Sequence, residues 1–144
     1  MAYSIGQVAK ITGLTTHTLR YYDKLGLLPN VGKNSAGLRR FSDDDLRWLN
    51  ILECLKSTGL QLKDIRHYID LSKQGDSSLH ERYQVFLKQK QRVKAEMQKL
   101  RSNMEKLDFK IRYYETALQY GEKNVYSRNP ELRAAKDKLF KKWQ

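Results

Sequence analysis

Hydrophobic and polar positions alternate in short glycine-punctuated blocks over the first 75 residues, then in one long block without glycine or proline from Ser78 to Tyr120. In SIGQVAKITG, Ile5, Val8, Ala9 and Ile11 recur at helical spacing behind Ser4, a capping residue, and Gly13 closes the run. A tight turn leads into TTHTLRYYDKLG, which predicts a second helix capped by Thr15 or Thr16, with Leu19, Tyr22 and Leu25 on its apolar side and Gly26 as its stop. Two short helices joined by a glycine-containing turn fit both a helix-turn-helix and a plain helical hairpin. Composition favours the former, because the second helix presents His17, Arg20 and Tyr21, which can reach phosphates and base edges, and carries a single acid.

In PNVGKNSAGLRRF, residues 29–41, Pro29, Gly32, Asn34, Ser35 and Gly37 lie between short apolar patches, which predicts two strands around a polar turn. Lys33, Arg39 and Arg40 make this hairpin basic. A surface loop with solvated cations would use the same residues, but the position directly after a helix-turn-helix favours a wing that lies along the phosphate backbone or dips into a minor groove. Ser42 then precedes DDDLRWLNILECLKSTG, a helix with acids in its first turn and Gly59 at its end. A further helix runs from Gln61 to about Ser72, with Leu62, Ile65, Tyr68, Ile69 and Leu71 as its apolar side and Gly75 as its stop.

The glycine-free block allows a helix of roughly 40 residues, about 60 Å long. Leu79, Tyr83, Phe86, Lys90, Val93, Met97, Leu100, Met104, Leu107, Ile111, Tyr114 and Leu118 step by fours and threes, the spacing of a heptad seam in which only Lys90 is charged. A core of some 75 residues cannot cover a seam this long, and no break lets the helix fold back on itself, so the expected partner is a second copy. Residues 122–144 are polar and basic, with Asn129-Pro130 and a weak helical pattern over 131–143 that ends in Phe140 and Trp143.

Charge sharpens this picture. Against 16 acidic residues stand 28 basic ones, a net charge of +12 over 144 residues, which points to a polyanionic partner, nucleic acid first. Cut at Gly75 and Tyr120, each of the three segments carries +4, but residues 1–41 hold six basic residues against Asp23 alone, so the excess sits at the N-terminus. No apolar run approaches a membrane span, and the opening MAYSIGQVAK lacks a secretory layout, so a cytoplasmic protein that does not contact membranes is expected. A single cysteine, Cys54, forms no internal disulfide and builds no metal cluster alone. No nucleophile–base pair, carboxylate pair, metal cluster or phosphate-cradling glycine loop is recognisable, so neither catalytic residues nor a cofactor is expected.

The runs Ile5-Gly6-Gln7-Val8-Ala9-Lys10, Thr12-Gly13-Leu14-Thr15, Thr18-Leu19-Arg20-Tyr21-Tyr22-Asp23, Gly26-Leu27-Leu28 and Gly37-Leu38-Arg39-Arg40-Phe41-Ser42, followed by Asp45-Leu46, closely resemble the MerR family of transcriptional regulators. The resemblance spans residues 3 to about 73, and the long helix after it also fits. It implies an all-α fold with a small β wing: a winged helix-turn-helix over 1–75 (helix-turn-helix about 5–24, wing about 29–41), a long antiparallel coiled-coil dimerisation helix over 76–120, and a basic C-terminal tail over 121–144. It further implies a homodimer on a pseudo-palindromic promoter operator in double-stranded DNA, which it bends and untwists, with RNA polymerase affected indirectly. Carried over by position, recognition-helix contacts fall on Thr16, His17, Arg20 and Tyr21, with Tyr22 supporting, and wing contacts on Lys33, Arg39 and Arg40. Arg20 and Arg39 are expected to be solvent-exposed in the free protein. The chain departs from the family pattern at Leu38, where an aromatic is usual, at Lys33, where arginine is usual, and at His17, in place of a commoner lysine or arginine.

The effector is read the same way. Metal-sensing members resemble one another in cysteines after the long helix, and this chain has none after Cys54; drug-binding members carry a large C-terminal domain that 24 residues cannot supply. What remains resembles the aldehyde- and electrophile-responsive (AdhR/NmlR-like) branch through Trp48-Leu49-Asn50-Ile51-Leu52-Glu53-Cys54-Leu55, Gly59-Leu60 and Leu107-Asp108 with Lys110-Ile111, which implies Cys54 as sensor. On a helical wheel Cys54 lies beyond the edge of the apolar arc, near Arg47, whose guanidinium would favour a reactive thiolate. A small buried hydrophobe packed on the long helix is the competing reading of the same residue. At the level of the whole protein the competing reading is a coiled-coil adaptor whose basic head binds a protein or membrane surface.

Overall fold

A computed structural model describes residues 1–141, and Trp143 lies outside the described residues. In chain order the elements are β1 (Ala2–Ser4), α1 (Ile5–Thr12), α2 (Thr16–Lys24), β2 (Gly32–Lys33), β3 (Arg39–Ser42), α3 (Asp43–Ser57), α4 (Leu62–Lys73), α5 (Leu79–Tyr120), α6 (Val125–Arg128) and α7 (Glu131–Leu139), with single 3₁₀ turns before α5 and before α6. The chain divides into two compact units, Met1–Lys90 and Gln91–Gln144.

The helix starts follow local chemistry. Ser4 and Gln7 form a reciprocal capping box at α1, as Ser42 and Asp45 do at α3, and the Thr15 hydroxyl accepts the Thr18 amide at α2. Gly13 ends α1 at φ 76°, a left-handed conformation that a side chain would strain. Strand β1 lies outside the sequence expectation, which held two strands; it pairs antiparallel with β3, giving a three-stranded sheet in the order β1-β3-β2. Three residues are too short for a period-two pattern to register. Beside β1, the Tyr3 hydroxyl and the N-terminal ammonium both bond Asp43, and these two bonds hold its carboxyl below the usual carboxylate range.

Val8, Leu19, Leu27, Phe41, Leu49, Leu52, Leu55 and Ile65 form the core of the first unit and are essentially inaccessible to solvent. Trp48 stacks on Tyr68 at 6.0 Å and donates its indole N–H to the Leu27 carbonyl at 2.7 Å, and Phe86 meets Tyr68 edge-on at 5.8 Å. Residues 121–141, read from sequence as a basic tail, fold as helices around a small core of their own: Val125 and Leu132 are fully buried and Phe109 of α5 nearly so. Burying an aliphatic side chain contributes about 1.5–3 kcal/mol, enough to seat so short a segment. The seam positions behave differently. Met97, Leu100, Met104, Leu107, Ile111, Tyr114 and Leu118 are all exposed in the single chain.

Candidate nucleic-acid interface

Helix α2 buries Leu19 and Tyr22 and turns His17, Arg20, Tyr21 and Lys24 outward. Spacings of three and four residues put these four on one face, and Thr16 is half-buried at its start. Lys24 did not figure in the sequence expectation, although its place seven residues after His17 is the signal that could have found it. The exposed face thus carries two permanent cations, an imidazole and a phenol, which suits phosphate contact and base-edge reading.

The wing is held at its tip by Asn34. Its carboxamide oxygen accepts the Ala36 and Leu38 amides at 3.0 Å each, its own amide donates to the Leu38 carbonyl at 2.8 Å, and Gly37 takes φ 80° to close the turn. This turn leaves Lys33 exposed on β2 and Leu38 65% exposed at the tip. A groove of about 360 Å³ between α2 and the wing is lined by Arg20, Lys33, Arg39 and Arg40, with Asp23 its only acid among the described residues.

Two site residues depart from the expectation. Arg39 is not free in solution: its Nε–H donates to Asp23 at 2.8 Å, another guanidinium N–H donates to the Val31 carbonyl at 2.9 Å, and its side chain is 33% exposed. The cause is strand alternation, since Arg39 shares a face of β3 with the buried Phe41 while Arg40 points the other way. Asp23, the one acid in residues 1–41, is thus engaged within the protein; the charge count contained this pairing unrecognised. Tyr22, expected to support the DNA contacts, is buried and donates its hydroxyl to Glu53 of α3. Burial first, then the bond to Glu53, pushes that phenol well above its usual range, so it braces α2 from behind and does not face a ligand.

Cys54 lies exposed on α3, so the reading of it as a buried packing residue fails within this chain. Arg47, expected beside it, pairs instead with Asp44 on the same helix. The Cys54 carbonyl accepts the Thr58 hydroxyl at 2.7 Å, and the buried Gln89 carboxamide donates to the Thr58 carbonyl and hydroxyl at 3.1 and 3.0 Å. The end of α3 that carries Cys54 is therefore tied to the first half of α5 by a buried polar link.

With the geometry in hand, the relatives decide the family. The pattern of the MerR HTH family regulatory proteins matches residues 3–72, and a second, described as MerR, DNA binding, matches residues 46–108. An uncharacterized HTH-type transcriptional regulator of Haemophilus influenzae is 41% identical over 121 residues, 84% of this chain and 90% of that protein. The chain belongs to the MerR family. Among solved structures of MerR proteins, the crystal structure of HiNmlR, a MerR family regulator lacking the sensor domain, bound to promoter DNA, is 41% identical with a TM-score of 0.75, covering 87% of this chain and 96% of that one. The Bacillus subtilis regulator AdhR is 34% identical over 90 residues, 62% of this chain and 64% of AdhR. As a MerR protein the chain is a DNA-binding transcriptional regulator and not an enzyme. No helix among the described residues is long and apolar enough to cross a membrane.

Proposed function

We propose that the protein acts as a cytoplasmic homodimer on a pseudo-palindromic operator in promoter DNA, distorting the duplex between promoter elements and so affecting RNA polymerase indirectly. The observation that carries this reading is the pairing of two exposed surfaces in one chain: a basic face on α2 and an uncovered heptad seam on α5. The first suits a half-site, and the second supplies the twofold that an inverted repeat mirrors. In this reading residues 1–75 are the DNA-binding domain and 76–120 the dimerising segment. Thr16, His17, Arg20 and Tyr21 contact the major groove, Lys33 and Arg40 contact the backbone from the wing, and Arg39 holds the wing against α2 through Asp23.

Selection of bound duplexes from a random pool tests the proposal. An inverted repeat with half-sites a whole number of helical turns apart is the expected result; enrichment without symmetry would leave only a basic adaptor head.

Cys54 is the proposed sensor of aldehydes or other thiol-reactive electrophiles. Its thiolate adds to an aldehyde carbonyl, the carbonyl oxygen takes up a proton, and a hemithioacetal forms on the exposed sulfur. The similarity to AdhR and HiNmlR supports this branch, and the Thr58–Gln89 link offers a route from α3 into α5. Cys54→Ser nearly keeps the volume and removes the nucleophile. It should bind the operator as the wild type does, while promoter output stops rising with formaldehyde or methylglyoxal. A serine variant that responds fully would remove Cys54 from the role.

A further inference from the structure

We propose that the C-terminal unit carries a binding site for a planar aromatic anion, of which an aromatic carboxylate is the simplest member, in a cavity of about 600 Å³ where α6 and α7 pack on α5. Phe109, Tyr113, Tyr126 and Phe140 supply aromatic walls, and Lys110 and Lys136 supply ammonium groups. The volume lies within the roughly 300–1,000 Å³ typical of small-molecule pockets.

The rings meet at tilted angles: Phe109 and Phe140 at 5.3 Å and 64°, Tyr113 and Tyr126 at 6.0 Å and 57°. They do not stack face to face, so their faces stay open to other partners, and lysines take some of them. Lys110 Nζ sits 4.8 Å from the Phe140 centroid and 5.6 Å from that of Phe109; Lys136 Nζ sits 5.7 Å from that of Tyr126. An ammonium held over a ring keeps N–H donors directed away from it, and at Lys110 these can meet a carboxylate. Lys136 adds positive charge at the Tyr126 side. Among the described residues lining the cavity there is no carboxylate to neutralise either one. A flat hydrophobic ring between aromatic walls, with its negative group at the lysines, satisfies both halves of this lining.

The occupant is not a second copy paired through the seam. On a helical wheel Phe109 and Tyr113 lie roughly 140–180° from the line through Leu100, Leu107, Ile111 and Leu118, on the far side of α5. The site also involves neither Cys54 nor α2, so it stands whether or not the sensor and operator readings hold.

Calorimetric titration of the full-length protein with sodium 2-naphthoate, and with 2-naphthalenemethanol as the neutral probe of the same ring, tests it. Saturable binding of one naphthoate per chain is expected, with the alcohol about tenfold weaker. Lys110→Gln and Lys136→Gln, both at exposed positions, should keep the circular dichroism of the wild type and bring naphthoate down toward the alcohol's affinity. Tyr126→Leu should weaken both probes. Absence of saturable binding by either probe overturns the site; equal affinity for the two, unmoved by the lysine substitutions, also overturns it, because the groove would then be apolar only.

Discussion

The two compact units treat their apolar side chains in opposite ways. In Met1–Lys90, leucines, valine and isoleucine from α1, α2, α3 and α4 close over one another until Leu19, Leu27, Leu52 and Leu55 see no solvent. In Gln91–Gln144 a core also forms, around Phe109, Val125 and Leu132, yet a full row of apolar residues along α5 remains exposed, Leu118 at 88%. The first unit meets its own hydrophobic demand within one chain; the second meets only part of it. A row of this length left in water costs solubility, so its persistence at heptad spacing argues that it is covered in the working assembly.

The sharpest way to break that comparison is to charge the seam. Leu100→Asp with Leu107→Asp would bury unpaired carboxylates in a dimer, at several kcal/mol for the pair, while costing an exposed single chain almost nothing. Sedimentation should show monomers with wild-type helicity. Operator affinity should fall by a factor of about 100 or more as the second half-site loses its effective concentration. Dimers that survive both substitutions would mean that the seam is not the contact.

A deletion in the first unit should act through stability instead. Leu52→Ala removes a fully buried side chain and should lower unfolding free energy by about 2–5 kcal/mol, read as a lower denaturation midpoint at unchanged oligomeric state. The equivalent truncation in the seam, Leu100→Ala, should shift the dimer–monomer balance and make the melting temperature depend on concentration, which Leu52→Ala alone should not.

A third pair of substitutions separates contact from support within the first unit. Arg20 is exposed on the outer face of α2, so Arg20→Ala should weaken operator binding by about 1–3 kcal/mol and leave the melting temperature in place. Arg39 is engaged by Asp23 and the Val31 carbonyl, so Arg39→Ala should also lower stability, by up to about 1 kcal/mol for a partly exposed pair. Affinity is measured by titration of labelled operator and stability by thermal unfolding. An Arg39→Ala protein as stable as the wild type would assign that arginine to DNA alone.

Much of this architecture was readable in the sequence because the signals are local. Ser4 with Gln7, Ser42 with Asp45, and Gly13 at a helix end depend on neighbours three or four positions away, and each appears in the structure where the sequence placed a helix end. The uninterrupted run from Ser78 to Tyr120 contains α5, Leu79–Tyr120. What escaped depends on distant pairing. Strand β1 exists because Ala2, Tyr3 and Ser4 find Ser42, Phe41 and Arg40 some 40 positions away. The Asp23–Arg39 pair joins a helix to a strand, and the α6–α7 segment is organised by a phenylalanine, Phe109, that no heptad step selects. The site residues divide along the same line: exposure on α2 follows from helical spacing, whereas the inward turn of Arg39 requires knowing which face of β3 holds Phe41.

The smallest expected effect tests how α2 is braced. The Tyr22 phenol is buried against the first unit's core and donates to Glu53, and both circumstances raise its pKa above the ordinary value of about 10. In the unfolded chain the phenol ionises near that ordinary value; in the folded protein it stays protonated to higher pH. A group whose pKa is raised on folding stabilises fully below the unfolded value, and that contribution drains away as pH rises from there toward the folded value. Wild-type stability should therefore fall above about pH 10 with an extra slope of up to about 1.4 kcal/mol per pH unit from this residue. Tyr22→Phe keeps the ring in the core and removes the hydroxyl, so it should cost about 1 kcal/mol at neutral pH and lack that extra slope. Urea unfolding at pH 7.5, 9.5 and 10.5 compares the two proteins, with operator affinity at pH 7.5 as the second readout. Since the phenol faces Glu53 and not the outer face of α2, affinity at pH 7.5 should stay within about twofold of wild type, the scale of a fraction of a kcal/mol. A large loss of affinity with stability intact would place Tyr22 among the DNA contacts after all, and parallel alkaline slopes in the two proteins would remove the burial of its hydroxyl as the cause.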